Sequence, residues 1–180
     1  FYLQEVSPDF KLYVSPLQIS VENPAMPVTT PADWAHDLYE DLGYFYTQEL
    51  PEDTKALSNN IFSGTEFHEQ AMFVYRERRR AMEYFLDQFE EGLLFFYFSS
   101  TDQQSHMLWR YVDKDHPGFD PSQGLQDSML QIYKEMDDSL GYVMDRIDDD
   151  TTLVVMSDHG FCPYYWGFNL NTWLLQKGYI

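Results

Sequence analysis

Hydrophobic residues along the chain follow two patterns, one continuous and one periodic. Residues 93–99 (Leu-Leu-Phe-Phe-Tyr-Phe-Ser) and 151–157 (Thr-Thr-Leu-Val-Val-Met-Ser) are short, almost unbroken apolar runs, and each predicts a fully buried strand. Elsewhere apolar positions recur every three or four residues. Met82, Phe85, Leu86 and Phe89 form a stripe on a helix predicted from about Thr65 to Glu90. Ser63 and Glu66 fit a capping box at its start, and Gly92 fits a stop at its end. Leu125, Met129, Ile132, Met136, Leu140, Val143 and Ile147 predict a second amphipathic helix, packed on a sheet. Asp120 is its predicted cap, with Pro121 at the first helical position and Gln123 at the third. Asn171 to Lys177 predicts a last short helix, stopped by Gly178. The order helix, strand, helix, strand, helix is that of parallel βαβ units with right-handed crossovers. The predicted class is α/β.

The first third of the chain is different. Pro8, Pro16, Pro24, Pro27, Pro31 and Pro51 punctuate it, and it carries no chemical signal of its own. Residues 11–14 and 17–21 suit short strands or extended segments, 22–31 an extended loop, and 32–42 a helix ended by Gly43. Residues 44–60 read as irregular. The division expected is a Pro-rich, insertion-like region over residues 1–64 and an α/β region over 65–180. His36 and the aromatic cluster Tyr44, Phe45 and Tyr46 are packing or surface residues in this reading.

Composition narrows the function classes. The chain has 180 residues, enough for one domain with a real core, and 44% hydrophobic content makes it globular. Thirty acidic against 11 basic residues give a net charge of −19, which repels polyanions and argues against a nucleic-acid scaffold. Small phosphate esters stay admissible, because bound divalent ions reverse the local charge. Arg76 and Arg78 to Arg80 spread around the first long helix, as on a solvated face with acidic neighbours. No run of apolar residues is long enough to span a membrane. Cys162 is the single cysteine, so no internal disulfide forms and the redox compartment is left open. The chain starts at Phe1-Tyr2-Leu3 without an initiator Met, and an excised piece of a longer protein is expected; periplasm and cytoplasm are equally open.

The chemistry sits where the two predicted strands end. Asp158-His159-Gly160 follows residues 151–157, and in open α/β sheets ligands bind at the carboxyl ends of strands. Neighbouring strand residues point to opposite faces, so Asp158 and His159 converge on one ligand only if the chain turns, which Gly160 permits. Asp102 and His106 follow residues 93–99 and lie four apart, on one face of a helical turn. Two Asp/His pairs at strand ends make a metal-site hypothesis. Neutral imidazole with carboxylate oxygen suits Zn²⁺, with Mn²⁺ or Fe as competitors. His116, beside the turn residues Pro117 and Gly118, is not expected to be a ligand.

Asp102-x-x-x-His106, followed by Ser157-Asp158-His159-Gly160-Phe161, resembles the alkaline phosphatase superfamily, and within it the type I phosphodiesterase/nucleotide pyrophosphatase branch. Phe168-Asn169-Leu170-Asn171-Thr172-Trp173-Leu174 with Gly178, and the helix carrying Tyr133 and Asp137, are similar to that branch as well. The likeness runs from about Thr65 to Ile180, and residues 1–60 resemble an insertion of bacterial members. It implies a piece of a three-layer α/β sandwich with a mostly parallel sheet holding two divalent ions, most simply Zn²⁺. Asp102 and His106 would serve one ion and Asp158 and His159 the other.

The resemblance also implies what is missing from these 180 residues. The family's Thr or Ser nucleophile with its Asp ligand would lie upstream, and a further His ligand downstream. No catalytic nucleophile is assigned here, and the piece alone is expected to be inactive and to hold metal weakly. The partners implied are a small phosphate ester or phosphodiester and the rest of the parent chain. The rival readings are a degenerate, non-catalytic binding domain, or another chemistry of the superfamily: phosphomutase, sulfatase or phosphoethanolamine transferase. Cys162 does not serve as a sulfatase nucleophile, because it follows the second metal pair. Tyr164, Tyr165 and Trp166 suit stacking on a nucleobase, or simple packing.

Overall fold

The computed structural model describes residues 1–48 and 50–180; Glu49, inside the stretch expected to be irregular, lies outside the described residues. Helices carry the architecture. In chain order the elements are β1 (Tyr2–Glu5), β2 (Lys11–Tyr13), α1 (Trp34–Leu42), α2 (Thr54–Ser58), α3 (Gly64–Asp87), α4 (Ser100–Val112), a 3₁₀ turn (Pro121–Gln123), α5 (Ser128–Met144) and α6 (Leu170–Gln176). The centre is a three-helix unit in which α4 packs against α5 and both lie on α3.

The sequence explains where these helices begin. Ser63 Oγ accepts from the Glu66 N–H at 3.2 Å, and the Glu66 carboxylate accepts from the Ser63 N–H at 2.7 Å. The capping box satisfies two N–H groups that helix geometry leaves free, and α3 then runs uninterrupted for 24 residues. Its stop comes at Gln88 rather than at Gly92. The predicted helix after Asp120 is split. Asp120 does cap a turn, accepting from the Ser122 N–H at 3.0 Å, but Gly124 takes a left-handed conformation (φ 67°) and breaks it. The second long helix therefore opens only at Ser128. α2 is too short to leave a periodic signal, being little more than one turn; Asp53 caps it through the Ala56 N–H at 2.9 Å.

The core gathers Phe67, Ala71, Met72 and Tyr75 of α3, Leu108 and Tyr111 of α4, and Met129 and Ile132 of α5, together with Leu57 and Phe62. Phe67, Tyr75, Leu108 and Ile132 are fully buried, each contributing about 1.5–3 kcal/mol of hydrophobic stabilisation. Polar ties fix the helices in register. The Tyr75 hydroxyl donates to the Glu135 carbonyl at 2.5 Å and lies 2.8 Å from Ser139 Oγ. The His68 ring lies between Gln104 of α4 and Gln131 of α5, 3.1 Å from each side-chain oxygen. The stripe of α5 thus packs on helices, where a sheet was expected.

The strand prediction does not hold. Among the described residues the only sheet is the antiparallel pair β1–β2, and neither residues 93–99 nor 151–157 belong to it. No parallel sheet and no βαβ unit is formed among them. The reason is physical: an apolar run becomes a strand only beside a neighbour that accepts its ladder bonds. Residues 93–99 still show the alternation of a strand, with Leu94, Phe96 and Phe98 half-buried and Leu93 and Phe95 exposed. Phe98 packs on the core, its ring 6.0 Å from Tyr75. Residues 151–157 are exposed throughout, where burial was expected. No helix of the chain, among the described residues, is long and apolar enough to cross a membrane.

Candidate functional site

α4 organises the site. Asp102 lies in its first turn, where the positive end of the helix favours a carboxylate, and His106 follows one turn later on the same face. Asp102 Oδ1 lies 3.3 Å from His106 Nε2. The chain then returns more than fifty residues later, and His159 Nε2 comes to 3.6 Å from the same oxygen. Asp158 Oδ2 is 3.8 Å from His159 Nε2 and its side chain is almost fully exposed. The structure thus brings His106 and His159 to one oxygen atom of Asp102, with Asp158 at the rim.

Phe161 holds the returning loop in place, and sequence reasoning missed it. Its ring meets His106 edge-on, with centroids 4.9 Å apart, and stacks obliquely on Trp109 at 5.3 Å. The signal was present, since an aromatic residue directly after Asp158-His159-Gly160 needs an apolar seat, and Trp109 lies one turn beyond His106. Further on, the Tyr165 hydroxyl donates to Asp113 Oδ2 at 2.6 Å, and His116 Nε2 lies 3.0 Å from the Tyr164 carbonyl oxygen. Hydrogen bonding to Asp113 pushes the Tyr165 phenol up to about 12, and the same bond lowers the Asp113 carboxyl. His116 is engaged on both ring nitrogens, its Nδ1 accepting from the Gly118 N–H at 2.9 Å. Tyr164 and Trp166 are exposed, and Tyr165 is spent on the residue that ends α4.

Gly160 does not take the left-handed backbone open to glycine. Local hydrogen bonds shape the loop. Ser157 Oγ donates to the His159 carbonyl at 2.6 Å, and His159 Nδ1 lies 2.9 Å from the Gly160 carbonyl oxygen. Only a protonated Nδ1 fits a carbonyl, so the neutral ring presents the lone pair of Nε2 toward Asp102. The bond to Gly160, and then the charges of Asp158 and Asp102, raise the His159 imidazole above its ordinary value.

Asp102 Oδ1 is buried and accepts no hydrogen bond among the described residues. A carboxylate oxygen facing two imidazole nitrogens needs a proton or a cation between them. Two ligands held about 2.1 Å from a tetrahedral Zn²⁺ stand about 3.4 Å apart. The separations of 3.3 and 3.6 Å are close to that edge and equally close to an imidazolium–carboxylate pair. The cage is not closed, however: among the described residues no group of three or more His, Cys, Asp and Glu side chains stands ready to hold a metal.

No curated protein and no solved structure gives a match to this chain. One family model does match, that of the type I phosphodiesterase / nucleotide pyrophosphatase family, over residues 20–180. The match takes in α4, the 157–161 loop and every residue of the candidate site, and the chain therefore belongs to the type I phosphodiesterase / nucleotide pyrophosphatase family.

Proposed function

We propose that this chain carries the metal-binding part of a phosphoric-ester hydrolase that uses two divalent ions, with Zn²⁺ the first choice and Mn²⁺ or Fe the alternatives. Asp102 and His106 would hold one ion, and Asp158 and His159 the other. Membership of a phosphodiesterase and pyrophosphatase family supports hydrolysis of a phosphate ester or diester by the intact protein. The observation that supports the reading is Asp102 Oδ1, buried without a hydrogen-bond donor and 3.3 Å from His106 Nε2, with His159 of the second pair 3.6 Å away. The other oxygen of Asp102, Oδ2, accepts from Gln103 Nε2 at 3.0 Å.

Bound there, divalent ions would supply Lewis acidity toward the phosphoryl oxygens and the attacking hydroxyl. The chain's own residues supply orientation. His159 is fixed as the Nδ1–H tautomer by Gly160, so its Nε2 is the donor atom. Phe161 wedges the loop against His106 and Trp109, while both imidazoles stay about half exposed. Asp158, out at the rim, is free to swing onto an ion with little loss of packing. No residue of the chain is assigned as nucleophile, and the chain by itself is inactive in this reading.

The test is metal binding and hydrolysis of bis-p-nitrophenyl phosphate with added Zn²⁺ or Mn²⁺, on this chain and on a longer protein that includes it. The Asp158→Ala, His159→Ala double variant is the control. Metal-dependent turnover by the longer protein, lost in the double variant, supports the reading. A longer protein that binds no divalent ion and cleaves no ester overturns it.

A further inference from the structure

Glu52 is 3% exposed and has no ion-pair partner among the described residues. A buried carboxylate without a cation is costly, and its surroundings must compensate. Two serines do so. Ser99 Oγ lies 3.1 and 3.2 Å from the two carboxylate oxygens, and Ser100 Oγ donates to Oε1 at 3.0 Å. Ser99 is the N-cap of α4 and Ser100 its first residue, and the Ser99 hydroxyl makes no capping bond to the helix. Both hydroxyls are turned away from ordinary capping and onto Glu52.

The carboxylate is itself rigidly mounted. Gln70 of α3 grips the backbone on both sides of it, donating from Nε2 to the Pro51 carbonyl at 2.9 Å and accepting the Asp53 N–H at 3.0 Å. Asp53 is fixed in turn as the cap of α2 and by the Tyr13 hydroxyl at 2.5 Å. A continuous set of hydrogen bonds therefore runs from α3 through residues 51–53 to the first residues of α4. Asp102 comes two residues after Ser100.

We propose that Glu52 is a positioning residue: by holding Ser99 and Ser100 it sets the start of α4 and aims the Asp102 carboxylate at His106 and His159. The inference rests on the reading of Asp102 and His106 as ligands of one ion and of His159 as a ligand of the other. A cap that served only helix stability would be met by the Ser99 hydroxyl alone, without burying a charge. What the acceptor oxygens of Glu52 add is a fixed direction for the first turn, and a ligand set tolerates little error in direction.

The experiment uses the whole 180-residue chain as wild type, Glu52→Ala, Glu52→Gln and Ser100→Ala. Ser63→Ala is the control that weakens the cap of α3 instead. Two quantities are read: the assigned imidazole ¹H–¹³C resonances without metal, and the dissociation constant for Zn²⁺ by calorimetry. Glu52→Ala and Ser100→Ala are expected to move the signals of His106 and His159, leave that of His36 in place, and weaken Zn²⁺ binding about tenfold. Glu52→Gln keeps an acceptor oxygen at the same reach and recovers most of that affinity; Ser63→Ala moves neither readout. Variants that lose stability while the His106 and His159 signals and the Zn²⁺ affinity stay put overturn the proposal. If Glu52→Ala does not fold, Ser100→Ala decides by the same readouts. A wild-type chain that binds no Zn²⁺ removes the metal reading alone, since the metal-free histidine signals still decide what Glu52 does.

Discussion

Asp102 Oδ1 and His159 Nε2 face each other at 3.6 Å, although one lies in the first turn of α4 and the other in a loop far along the chain. Among the described residues nothing donates to that oxygen. If each is a metal ligand, removing either group costs more than removing an exposed histidine elsewhere. Asp102→Asn and His159→Ala are each expected to weaken Zn²⁺ binding by at least about tenfold, as loss of a direct ligand exceeds loss of a supporting one. His36→Ala, at an exposed position of α1, serves as the reference. Calorimetric titration of the three variants checks this, and equal affinities in all three would reject it.

Gly64, the first residue of α3, is buried where α3 meets α4 and the segment before α5. A Cβ there would stand 2.8 Å from Leu125 Cδ1 and 3.0 Å from two ring carbons of Tyr111. Arg110 donates to the Tyr111 hydroxyl at 2.6 Å, which hinders the ring from stepping aside. Overpacking of this kind costs about 1–3 kcal/mol, against a helix-propensity gain of at most about 1 kcal/mol for Ala over Gly. Gly64→Ala is expected to lower the urea midpoint. A midpoint that rises would show that Leu125 gives way freely.

Much of this was legible in the sequence because it is local. The Ser63–Glu66 box, Gly43 after α1 and the four-residue spacing of Asp102 and His106 all act within one or two helical turns. The strands were misread because pairing is not local. Residues 93–99 and 151–157 carry the composition of buried strands, but composition names no neighbour, and neither run joins a sheet here. Glu52 and Phe161 were missed for a related reason. A carboxylate or an aromatic ring gains its role from α4, a partner the linear pattern does not place beside it.

Glu77 is buried in α3 and accepts the Tyr46 N–H at 2.9 Å. Burial raises its carboxyl above the ordinary 4.5, while that hydrogen bond and the charges of Arg78 and Arg80 pull the other way without overcoming it. The folded chain therefore holds the proton more tightly than the unfolded chain does. The resulting stabilisation is fully present below pH 4.5 and is lost as pH rises through the raised value. Glu77→Gln keeps an acceptor for Tyr46 and has nothing to titrate. Its stability relative to wild type is expected to increase between pH about 4 and pH about 7. Urea midpoints at the two pH values decide it, and a difference that does not change with pH would contradict the raised carboxyl.

The exposed apolar runs make a prediction about association. Val154, Val155 and Met156 are 70%, 72% and 76% exposed, in a segment that joins no sheet. Leu93 and Phe95 are exposed on the other run as well. An exposed apolar segment that joins no sheet is a template for pairing with another chain. The net charge of −19 opposes it, but only over a screening length of about 10 Å at 0.1 M salt. Sedimentation velocity is therefore expected to show association that grows with protein concentration and with added salt. Val155→Lys places a charge in the middle of the run and should reduce association while leaving the helical circular dichroism unchanged, since Val155 is no part of the core that joins the helices. A wild-type chain that stays monomeric at high salt would contradict the prediction.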